Sequence, residues 1–151
     1  MNAIARATVL LGAAFMLGGR LPAAEIRVPE EIATIQDALD LAEAGDVVTV
    51  GPGEYLLSES LRFNRADSLT GLRNSIALRS SHGAEQTILR KSPAAVGKVM
   101  EQVILIDQGE DDTTVLDGFT LESSYGDELV NGIVIRGSSP TVRNCVVVGY
   151  G

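Results

Sequence analysis

The apolar residues of this chain change rhythm twice. An uncharged apolar run, Ala7 to Gly19, follows Arg6 at the start. A helical spacing comes next: in "TIQDALDLAEAGD", Ile35, Ala38, Leu39 and Ala42 share one face. Thr34 is placed to cap and Asp37 stands three residues later, a variant of the capping box. Asp37 and Asp40 lie towards the positive end of the helix, and Gly45 can stop it in a left-handed conformation. The spacing therefore predicts a helix from Ile35 to Glu43.

After Gly45 the pattern turns to period two and short β-branched runs: "VVTV" (47–50), "IAL" (76–78), "TIL" (87–89), "VILI" (103–106), "TVLDGFTL" (114–121), "GIVI" (132–135) and "TVRNCVVV" (141–148). Gly, Ser, Asp and Asn separate them, and no helical stretch does, which argues against alternating strand–helix units. The runs recur. Ile76, Ile104 and Ile133 open similar triplets at spacings of 28 and 29, and Thr87, Thr114 and Thr141 recur at 27. Val48 precedes Ile76 by a further 28. Such a period, with two or more strands in each, predicts a solenoid whose coils bury their apolar side chains only against one another. For the last coils a shift of 26 is preferred over 27. It aligns Leu116 with Val142, Phe119 with Cys145 and Leu121 with Val147 as inward residues. It also leaves Asp117 and Arg143 facing water and puts Gly118 and Asn144 at a corner suited to left-handed backbone.

"ATIQDALDLAEAGDVVTVGPGEY", then "GAEQTILR", "LDGFTLES" and "SSPTVRNCVVV", resemble the right-handed parallel β-helix proteins of the pectate-lyase-like (pectin lyase fold) superfamily, over about residues 26 to 151. The resemblance implies an all-β fold, a right-handed parallel β-helix with a short N-terminal capping α-helix. The opening pattern is specific for that fold and not for an activity; pectin methylesterases, several lyases and many non-enzymatic surface proteins begin in a similar way. Family members usually have more coils and a closing element. The stop at "NCVVVGYG", on an apolar strand without charge or proline, thus predicts a C-terminally truncated β-helix with an open edge, prone to end-to-end self-association.

Composition refines this picture. Arg6, the apolar run and the small residues Ala23 and Ala24 have the order of a secretory signal peptide. Residues 1–24 are therefore expected to be a leader and 25–151 the N-terminal part of the β-helix domain, in a secreted, periplasmic or cell-surface protein. Removing the leader takes Arg6 and Arg20 from the 12 cations and nothing from the 20 acids, which leaves −10. Such a surface disfavours nucleic acid and anionic membranes, and its bulk charge does not draw acidic polysaccharide. No membrane span is expected in the mature chain. Cys145 stands alone, so no intramolecular disulfide can form.

Candidate chemistry is sparse. "DQGEDDTT" supplies Asp107, Glu110, Asp111 and Asp112, and "SYGDEL" supplies Asp127 and Glu128; stacked coils could bring them together around Ca²⁺. The spacing matches no calcium-loop repeat, and a solvated acidic loop is the competing reading. No other cofactor is evident. Elimination chemistry on uronic sugars needs a base and a charge neutraliser. Arg79, Arg90, Lys91, Arg136 and Arg143 are available, but nothing in the sequence pairs or tunes them. The catalytic Asp motifs that the methylesterases carry downstream have no match here. His82 lies in the turn "SSHGAEQ" without a metal or nucleophile partner, and Cys145 suits core packing. No glycine-rich phosphate loop precedes a helix.

The expected function is contact with polysaccharide or another surface polymer, non-catalytic within this span. Two alternatives stand beside it: the N-terminal part of a polysaccharide lyase or related carbohydrate-active enzyme, and a purely structural solenoid. One prediction concerns the leader. Exported protein recovered from a bacterial host should begin immediately after Ala23 or Ala24 on N-terminal sequencing, and a mature start at Met1 would refute the leader.

Overall fold

The computed structural model describes residues 22–63, 75–92, 102–125 and 128–149. The expected leader lies outside the described residues except for Pro22, Ala23 and Ala24. After the first strand, β1 (Glu25–Val28), comes the single helix, α1 (Ile35–Leu41). Its start is as the sequence predicts. Thr34 accepts from the Asp37 amide, and its hydroxyl donates to Asp37 Oδ2 at 2.6 Å. Its end comes sooner than predicted, because Ala42 is already extended. Gly45 is left-handed, at φ 95°, but belongs to the turn that follows. The reason is Asp46, a buried residue whose carboxylate accepts from the Glu43 amide and the Ala24 amide, both at 2.8 Å. It captures the chain before another helical turn can close. Ile35, Ala38 and Leu39 are buried, and α1 packs on strands at the start of the chain.

The rest is strand. β2 (Val47–Val50), β3 (Gly53–Leu57) and β4 (Leu61–Arg62) are followed by β5 (Ala77–Ser80), β6 (Thr87–Lys91) and β7 (Gln102–Ile106), then by β8 (Val115–Asp117) and β9 (Thr120–Glu122). A small antiparallel pair, β10 (Ser124–Tyr125) with β11 (Glu128–Leu129), precedes β12 (Asn131–Ile135), β13 (Thr141–Arg143) and β14 (Val146–Val148). Three parallel sheets result, ordered β1-β2-β5-β8-β13, β3-β6-β9-β14 and β4-β7-β12. From β2 onward the parallel strands follow in fixed rotation, first, second, third sheet, each round one strand further along. The fold is thus all-β with parallel sheets and one short helix, an arrangement compatible with a β-helix. Among the described residues no helix is long and apolar enough to cross a membrane.

Register decides what is buried. In the first sheet Val48, Leu78 and Leu116 lie opposite one another and are fully buried; in the second, Leu89 lies opposite Leu121, and in the third Leu61 lies opposite Ile104. Phe63 and Phe119 fill the remaining volume. Strands such as β2, β6 and β8 thus send alternate side chains into one shared core. The last layer has the preferred shift: Val142 faces Leu116 and Val147 faces Leu121, a register of 26. Gly118 and Asn144 both adopt left-handed backbone, at φ 83° and 52°.

The longer spacings were misleading. Ile104 does face Ile133, but Ile76 immediately precedes a strand of the first sheet, and Val48 faces Leu78 rather than Ile76. Thr87 belongs to the second sheet and Thr141 to the first. The register between neighbouring strands is 30 from Val47 to Ala77 and 43 from Leu61 to Ile104, so connections of unequal length break any single period. The expectation that Val142, Cys145 and Val147 are core residues is also corrected. Their register is right, and Cys145 is partly buried against the core, yet Val142 is 39% and Val147 54% exposed. β12, β13 and β14 are each the last strand of their sheet. On β14 all three valines are accordingly exposed.

This asymmetry is measurable. Phe119→Ala should cost about 3–5 kcal/mol in urea denaturation, as a large side chain lost from a closed core. Val147→Thr, at the same register one layer away from full burial, should cost less than about 0.5 kcal/mol. Equal losses would show that the last layer is as closed as the one before it.

Candidate functional site

The pleat that turns Leu78 and Leu116 inward turns their neighbours outward. Across the first sheet this aligns Arg27, Thr49, Arg79, Asp117 and Arg143 in one column, one residue from each of five strands. Parallel strands lie about 4.8 Å apart, so the column is a row of polar groups at that repeat. Its two ends are internally neutralised. At one end Arg27 Nη2 lies 3.0 Å from Glu25 Oε2, and the Thr49 hydroxyl donates to Glu25 Oε1 at 2.8 Å. The Thr49 hydroxyl and Arg27 hold the Glu25 carboxyl below the usual carboxylate range. At the other end Asp117 accepts from the Asn144 amide at 2.8 Å and from Arg143 Nε at 3.0 Å. The Asn144 bond, then Arg143, depress its pKa, with Arg79 adding a smaller attraction. Arg79, at the centre, is exposed and has no ion pair with any described residue.

Beside the Thr49 end of this column opens a cleft of 320 Å³, walled by Glu25, Arg27, Glu30, Thr49, Ser81 and His82, with Gly51 as part of its floor. Ser81 closes one wall. Its hydroxyl lies 3.1 Å from the Val50 carbonyl and 2.7 Å from His82 Nδ1. Tyr55 supports the floor by donating to the Gly51 carbonyl at 2.9 Å. Partial burial, with the Glu30 charge nearby, raises the Tyr55 pKa and keeps it a neutral donor.

The acidic candidates are placed differently. Glu110 is 2% exposed, and its Oε2 accepts from the Gln108 amide at 2.8 Å and the Ser138 hydroxyl at 2.7 Å. It ties the 107–112 connection to the turn after β12. Asp111 accepts from the amide and hydroxyl of Thr113. Asp107 lies 4.0 Å from Arg62, and Asp112 is exposed. Asp127 and the side chain of Glu128 lie outside the described parts. Among the described residues no three His, Cys, Asp or Glu side chains are gathered as a metal ion requires.

Nor do the five candidate cations converge. Arg79 and Arg143 are on the first sheet, and Arg90 on the second bridges Glu54 and Glu122. Arg136 is exposed just beyond β12. Lys91 is 3% exposed, opposite Leu57 on an inward position. His82 is the exposed turn residue expected, although it bonds Ser81. Cys145 Sγ lies 3.2 Å from the Arg143 carbonyl. Sequence reasoning missed Asp46 and Ser81, because the Ala24 amide that Asp46 binds and the Val50 carbonyl that Ser81 binds lie far away along the chain.

Compared with protein-family models, with curated proteins and with solved structures, the chain matches none.

The Asp117 cluster makes a testable acid response. Its folded pKa is depressed, so its stabilisation is fully present above the unfolded carboxylate value, at about pH 4, and is lost as pH falls through the folded value. Asp117→Asn should therefore cost about 1 kcal/mol at pH 7, a modest figure because Arg143 is half exposed. The gap between variant and wild type, read from urea midpoints, should narrow below pH 4. A gap that stays constant from pH 7 to 3 would remove the ionised Asp117 from the account.

Proposed function

We propose that this chain is an exported right-handed parallel β-helix domain, similar to the pectate-lyase-like superfamily, that lies along an extended polysaccharide or related surface polymer and holds it without cleaving it. The observation that carries this reading is the outer column Arg27–Thr49–Arg79–Asp117–Arg143 on the first sheet. A rigid sheet presents hydrogen-bonding groups at a fixed repeat of about 4.8 Å, comparable in length to one sugar unit. An extended polymer can meet such a row with little ordering of the protein, which favours binding. The fixed rotation of the chain through three parallel sheets and the helix packed at their beginning support the fold part of the proposal. The sign of the surface charge suits a polymer that is not strongly acidic.

The test is retention on insoluble polysaccharides, neutral, amino-bearing and uronic, followed by separation of bound from free protein. Arg79→Ala combined with Thr49→Ala should weaken retention about 10- to 100-fold, as lost hydrogen bonds to a charged group and a hydroxyl. The melting temperature should hardly move, since both positions are on the outer face. Undiminished retention would refute this face as the contact. Release of new sugar ends during incubation would favour the enzyme reading instead.

A further inference from the structure

We propose that the cleft beside the Thr49 end of the column is a subsite for one sugar unit that carries no carboxylate and turns its hydrogen-bond donors towards Glu30. This rests on the reading that the first sheet's outer face lies along a polysaccharide, and it narrows the class of polysaccharide.

The argument begins with charge. Three ionic groups wall the cleft: Glu25, Arg27 and Glu30. Glu25 and Arg27 neutralise each other through their 3.0 Å contact, and the Thr49 hydroxyl further satisfies Glu25. Glu30 is exposed and makes no ion pair with any described residue. Arg27 also attracts Glu30, but with two carboxylates to one guanidinium the walls carry a net excess of one negative charge. A uronate entering here would bring a second carboxylate beside it, with Arg27 already engaged. Arg79 belongs to the next strand of the column and does not wall the cleft.

Hydrogen-bonding capacity points the same way. A carboxylate accepts and never donates, so Glu30 asks for donors such as paired sugar hydroxyls or an amino group. The lining also offers His82 and the hydroxyl oxygens of Ser81 and Thr49, which donate to the Val50 carbonyl and to Glu25 and can therefore accept from the same ring. The Ser81–His82 contact at 2.7 Å holds the imidazole by Nδ1 and leaves Nε2 for a ligand. Space completes the case. Gly51 is buried without a left-handed φ, so its conformation does not demand glycine. A Cβ there would stand tightly, 3.3 Å from the Val28 carbonyl, and would touch Glu30 Oε1 at 3.8 Å, taking up space beside the carboxylate.

The experiment compares three soluble tetramers by titration calorimetry on the full chain: β-1,4-linked glucose, β-1,4-linked glucosamine and α-1,4-linked galacturonate. The glucose and glucosamine tetramers should each bind at least ten-fold more tightly than the galacturonate tetramer. Glu30→Gln should weaken the glucose tetramer about ten-fold and the glucosamine tetramer more. It should leave the galacturonate tetramer unchanged or tighter, so that the preference shrinks or reverses. A purely structural role for Glu30 would move all three together. Galacturonate binding as tight as glucose, or an unchanged preference in Glu30→Gln, overturns the proposal. If polysaccharide retention depends on Arg79 and Thr49 while no tetramer distinguishes Glu30, the subsite fails and the broader reading stands. If neither retention nor tetramer binding is seen, both fall.

Discussion

The structure depends on the stacking of equivalent inward side chains between neighbouring layers. Leu78 over Leu116, Leu89 over Leu121 and Leu61 over Ile104 are one constraint repeated on three sheets. A strand's side chains alternate with period two, so the register that buries one set commits the other set to the surface. The core and the outer column therefore have a common cause. No layer can bury its leucine without presenting Arg79 or Asp117, and neither can slip by one residue without placing a charge in the core.

Stacking is only as complete as the layers on either side. At the beginning, α1 lays Ile35, Ala38 and Leu39 against the strands, and Asp46 fastens the junction by satisfying two amides that would otherwise lack partners. Between later layers Glu110 does comparable work from inside a connection, bound to Gln108 and Ser138. Both are buried carboxylates, and burial is tolerable because each oxygen that counts accepts from a fixed donor. At the last described layer no such element lies beyond the valines, and their exposure is the direct consequence.

What could be read from the sequence follows the same division. The helix start was legible because Thr34 and Asp37 interact within one turn. The register of 26 was legible because only that shift kept Asp117 and Arg143 out of the core, and their 3.0 Å pairing agrees. The spacing of 28 failed because Ile76 and Ile104 resemble each other in pattern, but Ile76 only leads into a strand of the first sheet while Ile104 lies in the third. Local sequence records which residues point inward, not which sheet receives them. Asp46, Glu110 and Lys91 were illegible for a related reason. Each depends in part on a distant partner: the Ala24 amide 22 residues from Asp46, the Ser138 hydroxyl 28 residues from Glu110, and Leu57 opposite Lys91, across connections whose lengths vary. The outer column was the least visible feature. Arg27, Thr49, Arg79, Asp117 and Arg143 are unremarkable surface residues until the register sets them side by side.

That juxtaposition carries an electrostatic demand of its own. Parallel in-register strands bring like positions within about 4.8 Å, so a column of arginines alone would repel itself. Here the demand is met by answering charges within the face: Glu25 for Arg27 and Asp117 for Arg143. Thr49 separates Arg27 from Arg79. The second sheet meets the same demand with Arg90 between Glu54 and Glu122. Once these pairs are formed, the charges of Arg27, Asp117, Arg143 and Arg90 are engaged within the faces and weakly available to a ligand. Among the described residues of the column and the cleft, Arg79, attracted to Asp117 without an ion pair, and Glu30 are the charged groups that make no such contact. On the proposed reading, a polymer along this sheet would meet hydrogen-bonding groups at a regular repeat, with Arg79 and Glu30 as charges that no ion pair with a described residue engages.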